Sequence, residues 1–511
     1  MKIVLKAPTH LRVRGQELLY ILSLTLLLIL PSLTHSSPHR STLLESRIGL
    51  FEAWVENVID EQALVGLSVG LVHNQELIYS KGFGFADLTN RTPANKETTY
   101  KIASITKLFT SIALMQLVEE EKLRLDTSVT TLVPELQQIQ ANEHNVNEIT
   151  VRSILTHTTG LPTMPNFILD KKAAYKKQDR NSFLAGLHEQ ELIFPANRIH
   201  KYSNLAMNLG GVIIERISGL TYEEYVRKFI LEPLEMNSSY FKDESNRSQA
   251  IGYSRVVKRQ RDSNEFPQMP LLLGIPASGL ISNTTDLAKF ASWHFRTLAG
   301  KDQKVLSRQT LLKMQRVEEV LLPFELPPSI GGVAAFLSNS FEVGGTGLGY
   351  FLREQFISHS GGLMGFVSEF VMDNQTKLGV IALANSIDAP VNFSHARSIT
   401  KNLYDMVGAV ALAPPDKKHR FVEYEGIYSD GHNWSQYVLG LEDQLLLLNL
   451  RDDKPMNKPA VLNQLEKDTF EDSEHRGFYS GEFSVRFHRD ENDEIDALIL
   501  NQEKLYRKGK K

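Results

Sequence analysis

Cysteine is absent from all 511 residues. That excludes disulfides, thiolate metal sites and a cysteine nucleophile, and it removes the acylated cysteine that a lipoprotein anchor requires. A charge excess of either sign is missing too. With 56 basic and 60 acidic residues the formal net charge is -4, which leaves no electrostatic footprint for nucleic acid. The 15 histidines show no ligand-spaced cluster, and His188-Glu189 is not completed to His-Glu-x-x-His. A zinc hydrolase is therefore disfavoured and no cofactor is expected. What is present describes an ordinary globular protein, 42% hydrophobic and 23% charged. The length suggests roughly three domains.

Residues 1–37 read as an export segment. Lys2, Lys6, Arg12 and Arg14 precede an apolar run over 18–33, and small polar residues follow over 34–37. An apolar run of about 16 residues is short for a bilayer span. This favours a cleaved signal peptide over an N-terminal membrane anchor at 18–33, and the weak cleavage site keeps the anchor open. Either way the chain is expected to be exported, to a periplasmic or secreted location.

Apolar periodicity predicts a helix over 45–62 and two strands over 63–72 and 76–85, joined by a turn at His73-Asn74-Gln75. A helix-rich stretch fills the middle of the chain. After about Ser340 the pattern changes to strands over 348–353, 355–359, 365–372 and 378–385, then a last helix over 392–407. The simplest architecture joins both ends in one antiparallel sheet covered by helices, with the helical middle as a second lobe. A Pro-rich, charged linker over 411–420 separates this 45–410 domain from a 421–511 region of short strands, expected to be a small all-β barrel or sandwich with an accessory role.

The most informative stretch is 98–117. Ser104-Ile105-Thr106-Lys107 opens a run that is apolar on nearly all faces, the mark of a buried helix. Lys107 falls three residues from Ser104, so its amine can reach the hydroxyl. A lysine in apolar surroundings can activate a serine. Ser239/Lys242 and Ser398/Lys401 share the Ser-x-x-Lys spacing, but the first reads as a turn and the second as a solvated helix.

Two further motifs stand beside Ser104. Tyr202-Ser203-Asn204 is the only Tyr-x-Asn in the chain. A tyrosine hydroxyl near a lysine ammonium is expected to have its phenolate favoured and so to exchange protons, while Asn204 could hold a substrate amide. His359-Ser360-Gly361-Gly362 ends a strand, where glycines allow close approach of another backbone. Taken singly, each reads as readily as a structural residue, and His475-Arg476-Gly477 matches the third pattern as well.

In this order the three motifs resemble those of the penicillin-recognising serine hydrolases, in particular the branch of class C β-lactamases, D-alanyl-D-alanine carboxypeptidases, D-aminopeptidases and related esterases. The resemblance covers about 45–407 and includes Leu155-Thr-His-Thr-Thr-Gly-Leu-Pro162 and Pro276-Ala-Ser-Gly-Leu-Ile-Ser282. It implies an α+β, β-lactamase/DD-peptidase-like fold, with Ser104 as a nucleophile that forms an acyl-enzyme. Lys107 and Tyr202 would transfer protons, Asn204 would orient substrate, and His359 would tune the tyrosine or contact a substrate carboxylate. The backbone N–H groups of Ser104 and Gly362 would form the oxyanion hole.

The chain departs from the family at 194–201, which carries Ala196 in place of a usual glycine and is one residue longer. It lacks Glu-x-x-Leu-Asn, which argues against a class A β-lactamase. The expected function is hydrolysis of an amide or ester, as a D-amino-acid peptide or a carboxylic ester. The alternatives are a β-lactamase proper and a non-catalytic penicillin- or peptide-binding protein. An α/β-hydrolase reading of Gly66-Leu67-Ser68-Val69-Gly70 fails, because the match lies within a strand instead of a strand-to-helix elbow.

Overall fold

The computed structural model describes residues 42–62, 64–165, 180–241, 248–254, 275–321, 344–353, 355–363, 365–387, 394–408, 411–412, 421–431, 435–441, 444–450, 459–472, 484–500 and 502–508. The expected export segment, most of the linker, Lys242 and His475 lie outside them. Among the described residues no helix is long and apolar enough to cross a membrane.

Strands β1 (Gly66–His73) and β2 (Glu76–Asp87) form the expected hairpin, with Asn74 at φ 57° in its turn. Asparagine tolerates that left-handed conformation better than most residues. Seven more strands complete an antiparallel sheet: β3 (Thr92–Pro93), β4 (Glu319–Leu321), β5 (Gly344–Thr346), β6 (Phe351–Arg353), β7 (Phe356–Leu363), β8 (Phe366–Asp373) and β9 (Leu378–Ala384). Their order is β3-β2-β1-β9-β8-β7-β6-β5-β4. The two ends of the domain meet where β1 pairs with β9, from Leu67↔Ala384 to His73↔Leu378. The edge strands β3, β4 and β5 go beyond what periodicity indicated.

The sheet separates two apolar layers. Leu67, Val69 and Leu71 of β1 point to an outer layer with Phe51 and Trp54 of α1 (Thr42–Gln62) and Ile399 and Leu403 of α5 (Ser394–Leu403). Val72, Ile381 and Leu383 point inward, to the layer holding α2 (Thr106–Glu119), α3 (Asn204–Ser218) and α4 (Thr284–Leu298). Strand β1 is buried on both sides, so it reads as a continuous apolar run. Ser68 sits inside it, bonded to Asn95 O and Tyr100 Oη at 2.8 Å each. That confirms it as a strand residue.

The C-terminal region is a closed barrel of eight strands: β10 (Gly426–Ser429), β11 (Ser435–Leu441), β12 (Gln444–Asn449), β13 (Ala460–Glu466), β14 (Thr469–Asp472), β15 (Ser484–Arg489), β16 (Ile495–Leu500) and β17 (Glu503–Arg507). It packs on α1. Leu446, Leu448 and Leu450 join the outer layer, Tyr437 Oη donates to Ser46 O at 2.6 Å, and the buried Glu425 carboxylate accepts from Ser46 Oγ and from Gly440 N. Among the described residues the barrel therefore contacts the first domain on the sheet face away from α2. Replacing Glu425 by Ala should cost about 1–3 kcal/mol, the usual penalty for orphaning buried hydrogen-bond partners. A lowered melting temperature with unchanged chemical reactivity at Ser104 is the expected result.

Candidate active site

Ser104 does not begin the α-helix. It lies in a 3-10 turn, Ala103–Ile105, immediately before α2. Ala103 takes φ 48°, a strained conformation for a residue with a Cβ, and the surroundings hold it there. Thr106 Oγ1 donates to Ala103 O at 2.6 Å and accepts from Leu280 N at 3.0 Å. On either side of Ile102, its N–H donates to Leu280 O at 3.0 Å and its carbonyl accepts from Ser368 Oγ at 2.8 Å.

The Ser-x-x-Lys spacing brings Lys107 Nζ to 2.9 Å from Ser104 Oγ. Nζ also donates to Ala277 O at 2.8 Å and lies 4.8 Å from the centre of the Tyr202 ring. Lys107 is 1% exposed, and burial pushes its amine well below the ordinary lysine range. Tyr202 hydrogen-bonds Ser104, yet burial raises the phenol above its usual value despite that bond. This corrects the expectation of a favoured phenolate at Tyr202: desolvation disfavours the charged form of both groups, lowering the amine and raising the phenol. The other matches separate cleanly. Lys401 pairs with Asp405, and Ser239 bonds Asp286 and Ser282.

The backbone around Tyr202 is fixed by the 155–162 segment, whose role the sequence left unassigned. Lys201 N donates to His157 O at 2.7 Å, Ser203 N to His157 Nδ1 at 3.3 Å, and Ser203 Oγ to Pro162 O at 2.7 Å. The His157 ring lies 4.5 Å from that of Tyr202. The atypical 194–201 segment is accommodated by Asn197, which takes φ 62° and donates to Thr158 O at 2.7 Å, while Ala196 is buried without that strain. Asn204 starts α3; its Nδ2 contacts Met164 Sδ, and its buried Oδ1 has no protein partner.

Strand β7 closes the site. A Cβ on Gly361 would sit 2.2 Å from Ile102 O and 3.1 Å from Ser104 N, so only glycine lets the strand lie against the Ser104 turn. Gly362 pairs in register with Val367 of β8, and among the described residues pairing with β6 ends at Ser358. His359 lies on the same face as Gly361, 2% exposed, with Nδ1 2.7 Å from Ser360 O. The sequence-derived residues Ser104, Lys107, Tyr202 and His359 thus converge, with His157 as an addition. The sequence signal for His157 was the 155–162 motif itself.

Burial lowers the pKa of His157 well below normal, of His200 to about 4 and of His359 to about 3. Below pH 6.5 the unfolded chain gains protons that the folded protein refuses, so stability falls as pH falls. The melting temperature should decline from about pH 6.5 to 4; a flat profile across that window would contradict the burial of these rings. Gly361→Ala should lower the rate at which a serine-directed fluorophosphonate labels the protein by at least about tenfold, because the strand must retreat from Ser104. Labelling at the wild-type rate would show that the close approach is dispensable.

No group of three His, Cys, Asp or Glu residues suited to a metal occurs among the described residues. Staphylococcus aureus (strain N315) Protein flp is 26% identical over 345 residues, which cover 65% of this chain and 61% of the relative, so the match spans less than two thirds of that protein. The octameric penicillin-binding protein homologue from Pyrococcus abyssi aligns over 90% of this chain and all of its own, at 25% identity and TM-score 0.58. The D-amino acid amidase from Ochrobactrum anthropi SV3 aligns over 73% of this chain and 99% of its own, at 21% identity and TM-score 0.57. The Beta-lactamase family model matches residues 51–401, most of the domain that carries Ser104, Lys107 and Tyr202, and the chain belongs to that family.

Proposed function

We propose that this protein is a serine hydrolase that cleaves an amide or ester through an acyl-enzyme on Ser104. The observation that carries the reading is the contact set of Lys107 Nζ with Ser104 Oγ, Ala277 O and the Tyr202 ring. A neutral amine has a lone pair, so Lys107 can take the Ser104 proton as Oγ bonds to the substrate carbonyl carbon. The oxyanion would be held by the N–H groups of Ser104 and Gly362. As the tetrahedral species collapses, the bond to the leaving group breaks and Tyr202 gives that group its proton. The Lys107 ammonium then returns a proton to the phenolate. Water repeats the cycle in reverse and frees the acid and Ser104. Asn204, with its unpartnered Oδ1, is suited to accept from a substrate N–H.

The likeness to a D-amino acid amidase favours an amide with a D-configured acyl part as the first substrate to try. Residues 1–37 are read as the element that exports the enzyme, as a signal peptide or as an anchor at 18–33.

Intact mass after fluorophosphonate treatment should show one adduct, mapped to Ser104 and absent from Ser104→Ala. Lys107→Met should reduce turnover about 10³-fold or more and Tyr202→Phe about 100-fold or more. The pH profile of kcat/KM tests the protonation states. Its acid limb should fall well below the lysine reference of 10.5, and activity should persist past the tyrosine reference of 10.0. An acid limb near 10.5 would remove Lys107 as the base. Absence of any adduct on folded protein would favour a binding protein of the same fold.

A further inference from the structure

Met164 follows the 155–162 segment, and the chain just before it is pinned to the start of α3. Ser203 Oγ donates to Pro162 O at 2.7 Å, Asn204 N to Thr163 O at 2.9 Å, and Lys201 Nζ to Thr163 Oγ1 at 3.2 Å. These bonds hold the Met164 thioether 2.9 Å from Asn204 Nδ2. A thioether sulfur accepts weakly and cannot donate. It therefore takes the NH₂ end of the Asn204 carboxamide, and Oδ1 is left buried with no protein partner. Among the described residues the carboxamide has no other hydrogen bond, so Met164 alone fixes which way round it stands.

The same sulfur is open to chemistry. Among the described residues Met115, Met207, Met236, Met314, Met372 and Met406 are each at most 1% exposed, whereas Met164 keeps part of its surface in solvent. A peroxide reaches this thioether before those six. Transfer of one oxygen atom from hydrogen peroxide breaks the O–O bond, forms an S–O bond, oxidises the sulfur by two electrons and releases water. The product is a polar sulfoxide. With Sδ and Nδ2 at 2.9 Å, an oxygen between them has no room at hydrogen-bond distance from the nitrogen. The side chains must move apart or give up the bond. Either way Asn204 is released.

We propose that Met164 is a modification site and a positioning residue: its thioether orients the Asn204 carboxamide toward substrate, and peroxide oxidation to the sulfoxide removes that orientation while leaving Ser104 reactive. The inference rests on the proposed serine hydrolase and on Asn204 as a substrate contact.

Acetamidomethylboronic acid, which offers Asn204 an amide, and propylboronic acid, which offers none, test it beside a fluorophosphonate. Each boronic acid binds reversibly as Ser104 Oγ bonds to boron and the serine proton passes to Lys107. The full chain treated with dilute hydrogen peroxide should gain one oxygen at Met164, located by peptide mapping, before the buried methionines react. Untreated protein should bind the amide boronate at least about tenfold more tightly than the alkyl boronate, and oxidation should reduce that ratio to a few-fold. Alkyl boronate binding and fluorophosphonate labelling should stay within about twofold, and a methionine sulfoxide reductase should restore the ratio. Met164→Leu, apolar and without a sulfur acceptor, should show the reduced ratio from the start and no response to peroxide.

A ratio that survives Met164 oxidation, or a loss on peroxide treatment that persists in Met164→Leu, would overturn the inference. So would a parallel loss of fluorophosphonate labelling, the mark of general damage. Equal binding of the two boronates by untreated protein would remove Asn204 as the contact, and the inference with it, while leaving Ser104 as nucleophile. Failure of all three probes to react with folded protein would overturn the serine assignment as well.

Discussion

The burial of Lys107 is the constraint on which the rest of the site depends. An ammonium ion with 1% exposure has lost its hydration, and no carboxylate is among its contacts here; its partners are a hydroxyl, a carbonyl and an aromatic ring. Under those conditions burial works against the charged form, and the amine lies 2.9 Å from the serine hydroxyl. The same three partners also suit a cation, since Ala277 O and the face of Tyr202 both stabilise positive charge. The environment thus disfavours the charge through desolvation and still offers partners for it, which is what the proposed proton transfer requires.

That arrangement needs a dry interior, and the fold supplies one from both sides. Helix α2 carries Leu108, Phe109, Ile112 and Ala113 into the inner layer, and β7 comes up against the nucleophile turn because residue 361 has no side chain. The strain at Ala103 is held by a threonine, a serine and the backbone of Leu280. Dryness also decides the histidines. His157, His200 and His359 are all driven toward the neutral state, so the wall around Ser104 contributes dipoles and lone pairs where exposed imidazoles would contribute charge.

Much of this was legible in the sequence, for identifiable reasons. The apolar run after Ser104 marks a buried helix, and burial is what separates its Ser-x-x-Lys from Ser398/Lys401, which lies on a helix with its lysine paired to Asp405. The order of the three motifs located Tyr202 and His359, which no single motif could. Strands β4 and β5 escaped because three residues, two of them glycine in β5, carry no periodicity. Strands β13 and β17 of the barrel carry little apolar signal because each buries a single residue, and β14 is only four residues long. His157 at φ 57° belongs to a turn, and turns have no repeat to read. The charge state of Tyr202 was misjudged for a deeper reason. Sequence spacing shows which groups meet, whereas desolvation depends on everything else that meets around them.

The layering also limits where substrate selectivity can originate. The sheet stands between the inner layer, which contains the nucleophile turn, and the outer layer, which receives α1 and the barrel. Tyr437, Leu446 and Leu448 join the outer layer with α1, on the far side of the sheet from Ser104. In the proposed reaction, direct discrimination would fall to groups on the inner side: the edge of β7, the Asn204 carboxamide at the start of α3, and the 194–201 segment that includes Asn197. The last of these is where the sequence departs from the family pattern, with Ala196 for a usual glycine and one residue more, and where Asn197 takes the left-handed conformation. It leads straight into Tyr202, so a change in that segment alters the lining of the site while the hydrogen bonds from 155–162 keep the proton-transfer geometry fixed. Divergence in substrate with retention of chemistry is what such an arrangement permits.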